Sequence, residues 1–313
     1  MSEDNEIMIG LVAGSGFDME SSGVELQKMP DVEFVGKIPK ADIITPYGAP
    51  SSDISILRVR GVLVAVILRH GEGHQLPPHL VPYRANSWII KALGAHIHIQ
   101  FTAVGSLQDH INYGDVAVVR VLENATERPL PDLLEDVRVA IHPSLAEQTC
   151  DVLPKLASEA FRKAGVSNVH QQAAHVTIPG PAFAPKFKER QWKDTGYDLI
   201  GMTSVRPSLV LRQLRQHWVE IAIPTDSSSI GDDEEVNALL VSRRMKGLEQ
   251  LISTGFCNFV EVLGSKLHLV DCACHWPMEV ANMSKKITVE AERRLILSEK
   301  PHPYSCGWSK LIS

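Results

Sequence analysis

The run "VLVAVIL" at residues 62 to 68 is apolar at seven successive positions. A strand made of it must be covered on both faces, which is the habit of a parallel sheet between two layers of helix. The run ends abruptly in "RHGEGHQLPPHLVPYRANSW", which opens on an arginine and holds three histidines and three prolines. Helix-like "RANSWIIKALGA" follows, and then β-rich "HIHIQFTAVGSL" and "DVAVVRVL". Strand, helix and strand in this order give an α/β fold with a mixed, mostly parallel central sheet flanked by helices. Ligands of such sheets bind in the loops beyond the strand C-termini. Three stretches finish in that way: "GLVAGSGF", "VILRHGEGH" and "FTAVGSL".

No repeat, low-complexity tract or linker divides the 313 residues, so the expectation is one domain over 1–313, with 277–313 a C-terminal extension of unassigned role. Residues 143–166 read as one surface helix through Leu145, Val152, Leu156 and Phe161, with a proline the only discord. Residues 233–252 read as a second, with Val236, Leu239, Leu240, Leu248 and Leu251 on one side. Strand signals return at "VHQQAAHVTI" and "WVEIAIPTD".

A net charge of -6 and a pI near 6.1 argue against broad electrostatic binding of nucleic acid or anionic lipid, and favour a small ligand or a protein partner. The start "MSEDNEIMIG" has no signal-peptide pattern and no run is long enough to span a bilayer, so the expected location is the cytoplasm. Five scattered cysteines suggest no disulfide framework. "CACH" at 272–275 invites a metal reading, but a zinc site wants four ligands and no second pair follows at finger spacing, so no metal is expected.

Three of the strand-end loops carry groups suited to an anion. "AGSGF" offers backbone N–H groups and the Ser15 hydroxyl, Arg69 and His70 add a fixed cation and a second donor, and Thr102 and Ala103 add a hydroxyl and a free amide. Together they describe a site for free phosphate, although "AGSGF" alone is equally a plain strand-end turn. Asp226, after the strand ending in Pro224 and Thr225, reads either as a helix cap or as a partly desolvated acid that protonates a heterocycle. The DDEE run at 232–235 reads as a solvated first helical turn.

"IGLVAGSGF", "LRHGEGH", "VPYRANSW", "TAVGSL", "INYGDVAVV", "GPAF", "GMTSV" and "IPTD", in this order over residues 8 to 226, resemble the trimeric purine nucleoside phosphorylases, and within them the methylthioadenosine-cleaving branch. The resemblance implies a pentosyltransferase that converts 5′-methylthioadenosine and phosphate to adenine and 5-methylthioribose 1-phosphate in purine and methionine salvage. It assigns phosphate to Ser15, Arg69, His70, Thr102, Ala103 and Thr203, the ribose to Met202, and the purine to Phe183 and Asp226. It makes His142 a residue lent by a neighbouring subunit of a homotrimer. Catalysis falls to Asp226, Arg69 and His70, with phosphate as co-substrate and no cofactor. An apolar pocket for the 5′ group is expected from Val236 and Leu239 on the helix near Asp233.

The sequence departs from the branch at Ser228, where an aspartate usually receives the adenine amino group, at Ala184, where a serine or glutamate is usual, and at Ser208, where "TSVRPS" lacks a glutamate. A serine hydroxyl donates or accepts while a carboxylate only accepts, so Ser228 should relax base specificity. Asp226 leans toward adenine, because the oxopurine enzymes usually carry asparagine there. Two other readings stay open: a 6-oxopurine (inosine or guanosine) phosphorylase, and a degenerate member that binds nucleosides without turnover.

Overall fold

The computed structural model describes residues 8–15, 26–137, 139–227, 236–266, 272, 274, 276–279 and 281. Among them a nine-stranded mixed sheet runs in the order β2-β3-β4-β1-β5-β8-β7-β6-β9. Its strands are β1 (Met8–Ala13), β2 (Val32–Ile38), β3 (Ile54–Val59), β4 (Val62–Leu68), β5 (Ile97–Ser106), β6 (Val116–Asn124), β7 (Val169–Thr177), β8 (Leu199–Gly201) and β9 (His217–Ser227). β5 also pairs with β9, so β5, β8, β7, β6 and β9 close into a ring. The parallel group β4, β1, β5, β9 aims four strand ends at one place.

The apolar run of β4 divides between the two faces as its period of two requires. Val64, Val66 and Leu68 enter a core with Phe161 of α2 (Leu153–Lys163) and Phe256, Phe259 and Val260 of α6 (Glu249–Lys266). Leu63, Ala65 and Ile67 enter another with Trp88, Ile89 and Ile90 of α1 (Tyr83–Ala92) and Val210 of α4 (Ser208–Gln213). The remaining α-helices among the described residues are α3 (Lys186–Thr195), α5 (Ala238–Gly247) and the short α7 (Trp276–Glu279).

Two helix boundaries differ from the sequence reading. The helix expected over 143–166 begins at Leu153, and the discordant Pro154 sits in its first turn, where a missing N–H costs nothing. The second begins at Ala238, where the Asn237 side chain accepts from Leu240 N. It ends at Gly247, and a separate helix starts at Glu249. The single apolar side expected there also fails at Leu239, which is 69% exposed while its neighbour Leu240 is buried. The DDEE run and nearly all of 277–313 lie outside the described residues, which include only Pro277 to Glu279 and Ala281 of that segment. No helix among the described residues is long and apolar enough to cross a membrane.

Candidate active site

The convergent ends of β1, β4, β5 and β9 open into a cavity of about 750 Å³. Pairing sets its floor. Val12 lies opposite Gln100, so two residues on, Gly14 and Ser15 reach the level of Thr102 and Ala103. The Arg69 N–H donates to Ala13 O at 3.0 Å, which carries the chain from β4 across the end of β1. Ser15, Arg69, His70, Thr102, Ala103 and Thr203 all line the cavity.

Arg69 is 2% exposed, and its Nε and Nη1 meet no acceptor among the described residues. The Thr102 hydroxyl is buried and equally without a partner. A side chain on residue 14 would run into the guanidinium, so the glycine is what lets Arg69 lie against the first loop. Burial pulls the Arg69 pKa down to about 10, which leaves it cationic at neutral pH. A buried cation with two nitrogens unpaired among the described residues, and a buried hydroxyl in the same state, both on the wall of one cavity, suit an anion with several acceptor oxygens.

His70 differs from its expected role as a donor. Its Nδ1 lies 2.7 Å from Leu76 O, and a carbonyl only accepts, so the ring proton sits on Nδ1. Burial, with Arg69 beside it, drives the imidazole pKa down to about 3, so the ring is neutral and its Nε2 is an acceptor. His74 stacks on it at 4.3 Å.

Asp226 also lines the cavity, aimed by an irregularity in β9. Val104 of β5 pairs with Pro224 but Gly105 pairs with Asp226, so Thr225 is an extra residue that re-aims the strand. The Thr225 hydroxyl lies 2.9 Å from Asp226 Oδ1 and 3.2 Å from Val104 O and donates to one at a time. A Cβ at Gly105 would stand 2.8 Å from Asp226 Oδ2, so this glycine too makes room for a functional group. Burial pushes the Asp226 carboxyl up to about 6, against the Thr225 hydrogen bond and the charge of Arg244.

Phe183, Met202 and Val236 also line the cavity, with Phe183 47% exposed. Ala184 lines it as well, so the missing polar group there is a real change in the wall. Leu239 does not; the helix instead presents Ala238, Val241 and Ser242. His142 is exposed and outside its own chain's cavity, with its N–H held by Ala281 O. Ser208 is buried with its hydroxyl unpartnered among the described residues, also away from the cavity. Ser228 lies outside the described residues.

Two features escaped the sequence. Glu189 of α3 joins the cavity near Asp226, and burial, then the Asp226 charge, raises its pKa. Nothing in "KFKERQWKDT" separates it from the solvated charges around it. Behind the Met202 and Thr203 loop, Glu220 Oε1 accepts from Ser204 Oγ at 2.6 Å and lies 3.1 Å from His175 Nδ1, all fully buried. A polar residue in the middle of an apolar strand, as Glu220 is in "HWVEIAIPTD", is the signal that marks this network.

The sequence profile of the phosphorylase superfamily matches residues 23–257, and the chain belongs to that superfamily. Among relatives, the S-methyl-5'-thioadenosine phosphorylase of Thermofilum pendens is 34% identical over 240 residues, covering 77% of this chain and 86% of its own. That of Saccharolobus solfataricus is 29% identical over 88% of this chain and 97% of its own. A methylthioadenosine phosphorylase crystal structure from an antarctic soil metagenomic library superposes with a TM-score of 0.79 at 25% identity, covering 94% of this chain and 99% of that one. The Schistosoma mansoni methylthioadenosine phosphorylase in complex with adenine gives 0.75 at 25% identity, over 93% and 98%.

Proposed function

We propose that the protein is a pentosyltransferase that cleaves 5′-methylthioadenosine by phosphorolysis, yielding adenine and 5-methylthioribose 1-phosphate. The observation that carries this reading is a cavity lined by buried Arg69 and Thr102, whose Nε, Nη1 and hydroxyl have no partner among the described residues, and by an acid of raised pKa, Asp226. Phosphate sits on Arg69, Thr102, Ser15, the Ala103 amide and Thr203, and His70 Nε2 accepts from a phosphate O–H. The anion attacks the ribosyl carbon as the glycosidic bond breaks, and the bonding pair leaves with the purine. Asp226 offers its proton to N7 of that leaving group, and a pKa of about 6 lets it do so near neutrality. Positioning and electrostatics supply the rest, with no resident cofactor required.

Met202 lies under the ribose and Phe183 against the base, while Val236 and Val241 give the 5′-methylthio group an apolar wall. His142 completes the 5′ end from a neighbouring chain, which requires a homotrimer; light scattering at three chain masses supports this and a monomer that is fully active excludes it. The cytoplasm, where phosphate and the methylthio nucleoside of purine and methionine salvage meet, is the expected location.

Relatives named for methylthioadenosine and an aspartate at 226 favour this reading over an oxopurine phosphorylase or an inert binder. Measured kcat/KM with saturating phosphate should favour methylthioadenosine over inosine by about tenfold or more. The reverse preference makes the enzyme an oxopurine phosphorylase, and binding without turnover of either makes it a binder.

A further inference from the structure

Four side chains that the sequence scatters meet in the fold. Cys150 in the loop ahead of α2, His217 at the start of β9, and Cys272 and Cys274 beyond α6 bring three sulfurs and one imidazole nitrogen within 4.8 Å of one another. Cys150 Sγ is 3.6 Å from Cys272 Sγ, and His217 Nδ1 is 3.2 Å from the sulfurs of both Cys272 and Cys274. His217 Nδ1 is 4.0 Å from Cys150 Sγ, and the Cys272 and Cys274 sulfurs are 2.9 Å apart. All three cysteines are free thiols.

Tetrahedral zinc, with Zn–S near 2.3 Å and Zn–N near 2.0 Å, sets its thiolates about 3.8 Å apart and an imidazole nitrogen about 3.6 Å from each. Four of the five separations are shorter than these edges, most of all the 2.9 Å between Cys272 and Cys274, and only His217 Nδ1 to Cys150 Sγ is longer, so the ligands are gathered a little more tightly than a bound ion would hold them. We propose that Cys150, His217, Cys272 and Cys274 form a structural zinc site. Three soft sulfurs with one imidazole select zinc over magnesium, calcium or manganese, and four protein ligands leave no open position for chemistry. The site lies at the opposite end of β9 from Asp226, nine residues and about 30 Å away, so its work is to hold the chain together.

The surroundings suit the charge. Binding releases the three thiol protons and oxidises nothing, so zinc and three thiolates carry a net negative charge. Arg212, 4% exposed, faces Cys274, Cys272, Cys150 and Asp151 electrostatically, and its Nε has no acceptor among the described residues. The Cys150 N–H donates to Trp218 O at 2.9 Å, which holds the first ligand beside His217 before any metal arrives. Bound zinc would tie together the loop before α2, the start of β9 and the chain after α6.

The test is metal analysis of the full chain, expressed with zinc and purified without chelator. One zinc per chain is expected, lost in the Cys272→Ser, Cys274→Ser double variant and kept in His217→Cys, which supplies a fourth thiolate. Cobalt in its place should show thiolate charge transfer and the visible bands of a tetrahedral ion. If the double variant fails to fold, stoichiometric zinc release from the native chain on mercurial titration of its thiols decides in favour. Any of three results overturns the site: no bound metal after reconstitution, zinc unchanged in a folded double variant, or a Cys272–Cys274 disulfide in freshly purified protein.

Discussion

Arg69 keeps a guanidinium out of water with two nitrogens facing no acceptor among the described residues, and Thr102 keeps a hydroxyl in the same state. Buried groups left unpaired cost stability, so a fold that retains them does so for a ligand. Arg69→Met, close in volume and uncharged, should raise the stability of the ligand-free protein by about 1–4 kcal/mol in denaturant melts. It should also lower phosphate-dependent turnover about 10²- to 10⁴-fold, since two charge-assisted bonds of about 1.5–3 kcal/mol each are lost. A destabilised variant would mean that Arg69 is a structural residue. Asp226 makes a second claim testable by pH. Its carboxyl rises from 3.8 to about 6, so the native state keeps a proton there that the unfolded chain releases. Wild-type stability should therefore fall relative to Asp226→Asn as pH rises from about 4 to about 6, by no more than about 3 kcal/mol, and the gap should then stay constant. A constant gap across that window would show an unshifted carboxyl.

Part of the candidate site was legible because β1 and β4 end just ahead of residues that line the cavity. Ser15, Arg69 and His70 follow strand ends, and a run of apolar residues stopping at a polar group is visible in any sequence, whereas Thr102 and Ala103 lie inside β5 and Asp226 inside β9. Helices gave less. Pro154 looked like an interruption within a helix because helical spacing continues back to Leu145, whereas the chain ahead of Leu153 is a loop. Leu239 looked like a wall of the pocket because apolar character does not state a helix's rotation, and Val241 takes that place. Packing of α2 on α6 offers an element-scale test, since a Cβ on Gly255 would strike the Phe161 ring. Gly255→Ala should cost about 1–3 kcal/mol in denaturant melts and leave KM for both substrates unchanged. No loss of stability would mean that the two helices slide apart freely.

The whole molecule works as a sheet with different business at its two ends. One end gathers Ser15, Arg69, Thr102 and Asp226 from four parallel strands around a cavity; the other gathers Cys150, His217, Cys272 and Cys274. Cys272 and Cys274 stood out in "CACH", but their partners were illegible, because His217 stands 67 residues from Cys150 and 55 from Cys272 and no local spacing announces a ligand set built by topology. Glu189 was illegible for the same reason, as only the fold sets it beside Asp226. The most direct measurement of the central claim is adenine release from 5′-methylthioadenosine as phosphate is titrated from zero. Release that is absent without phosphate and saturates with it, giving 5-methylthioribose 1-phosphate as coproduct, is the expected result. Equal release in phosphate-free buffer, with free methylthioribose as the product, would contradict it and make the enzyme a hydrolase.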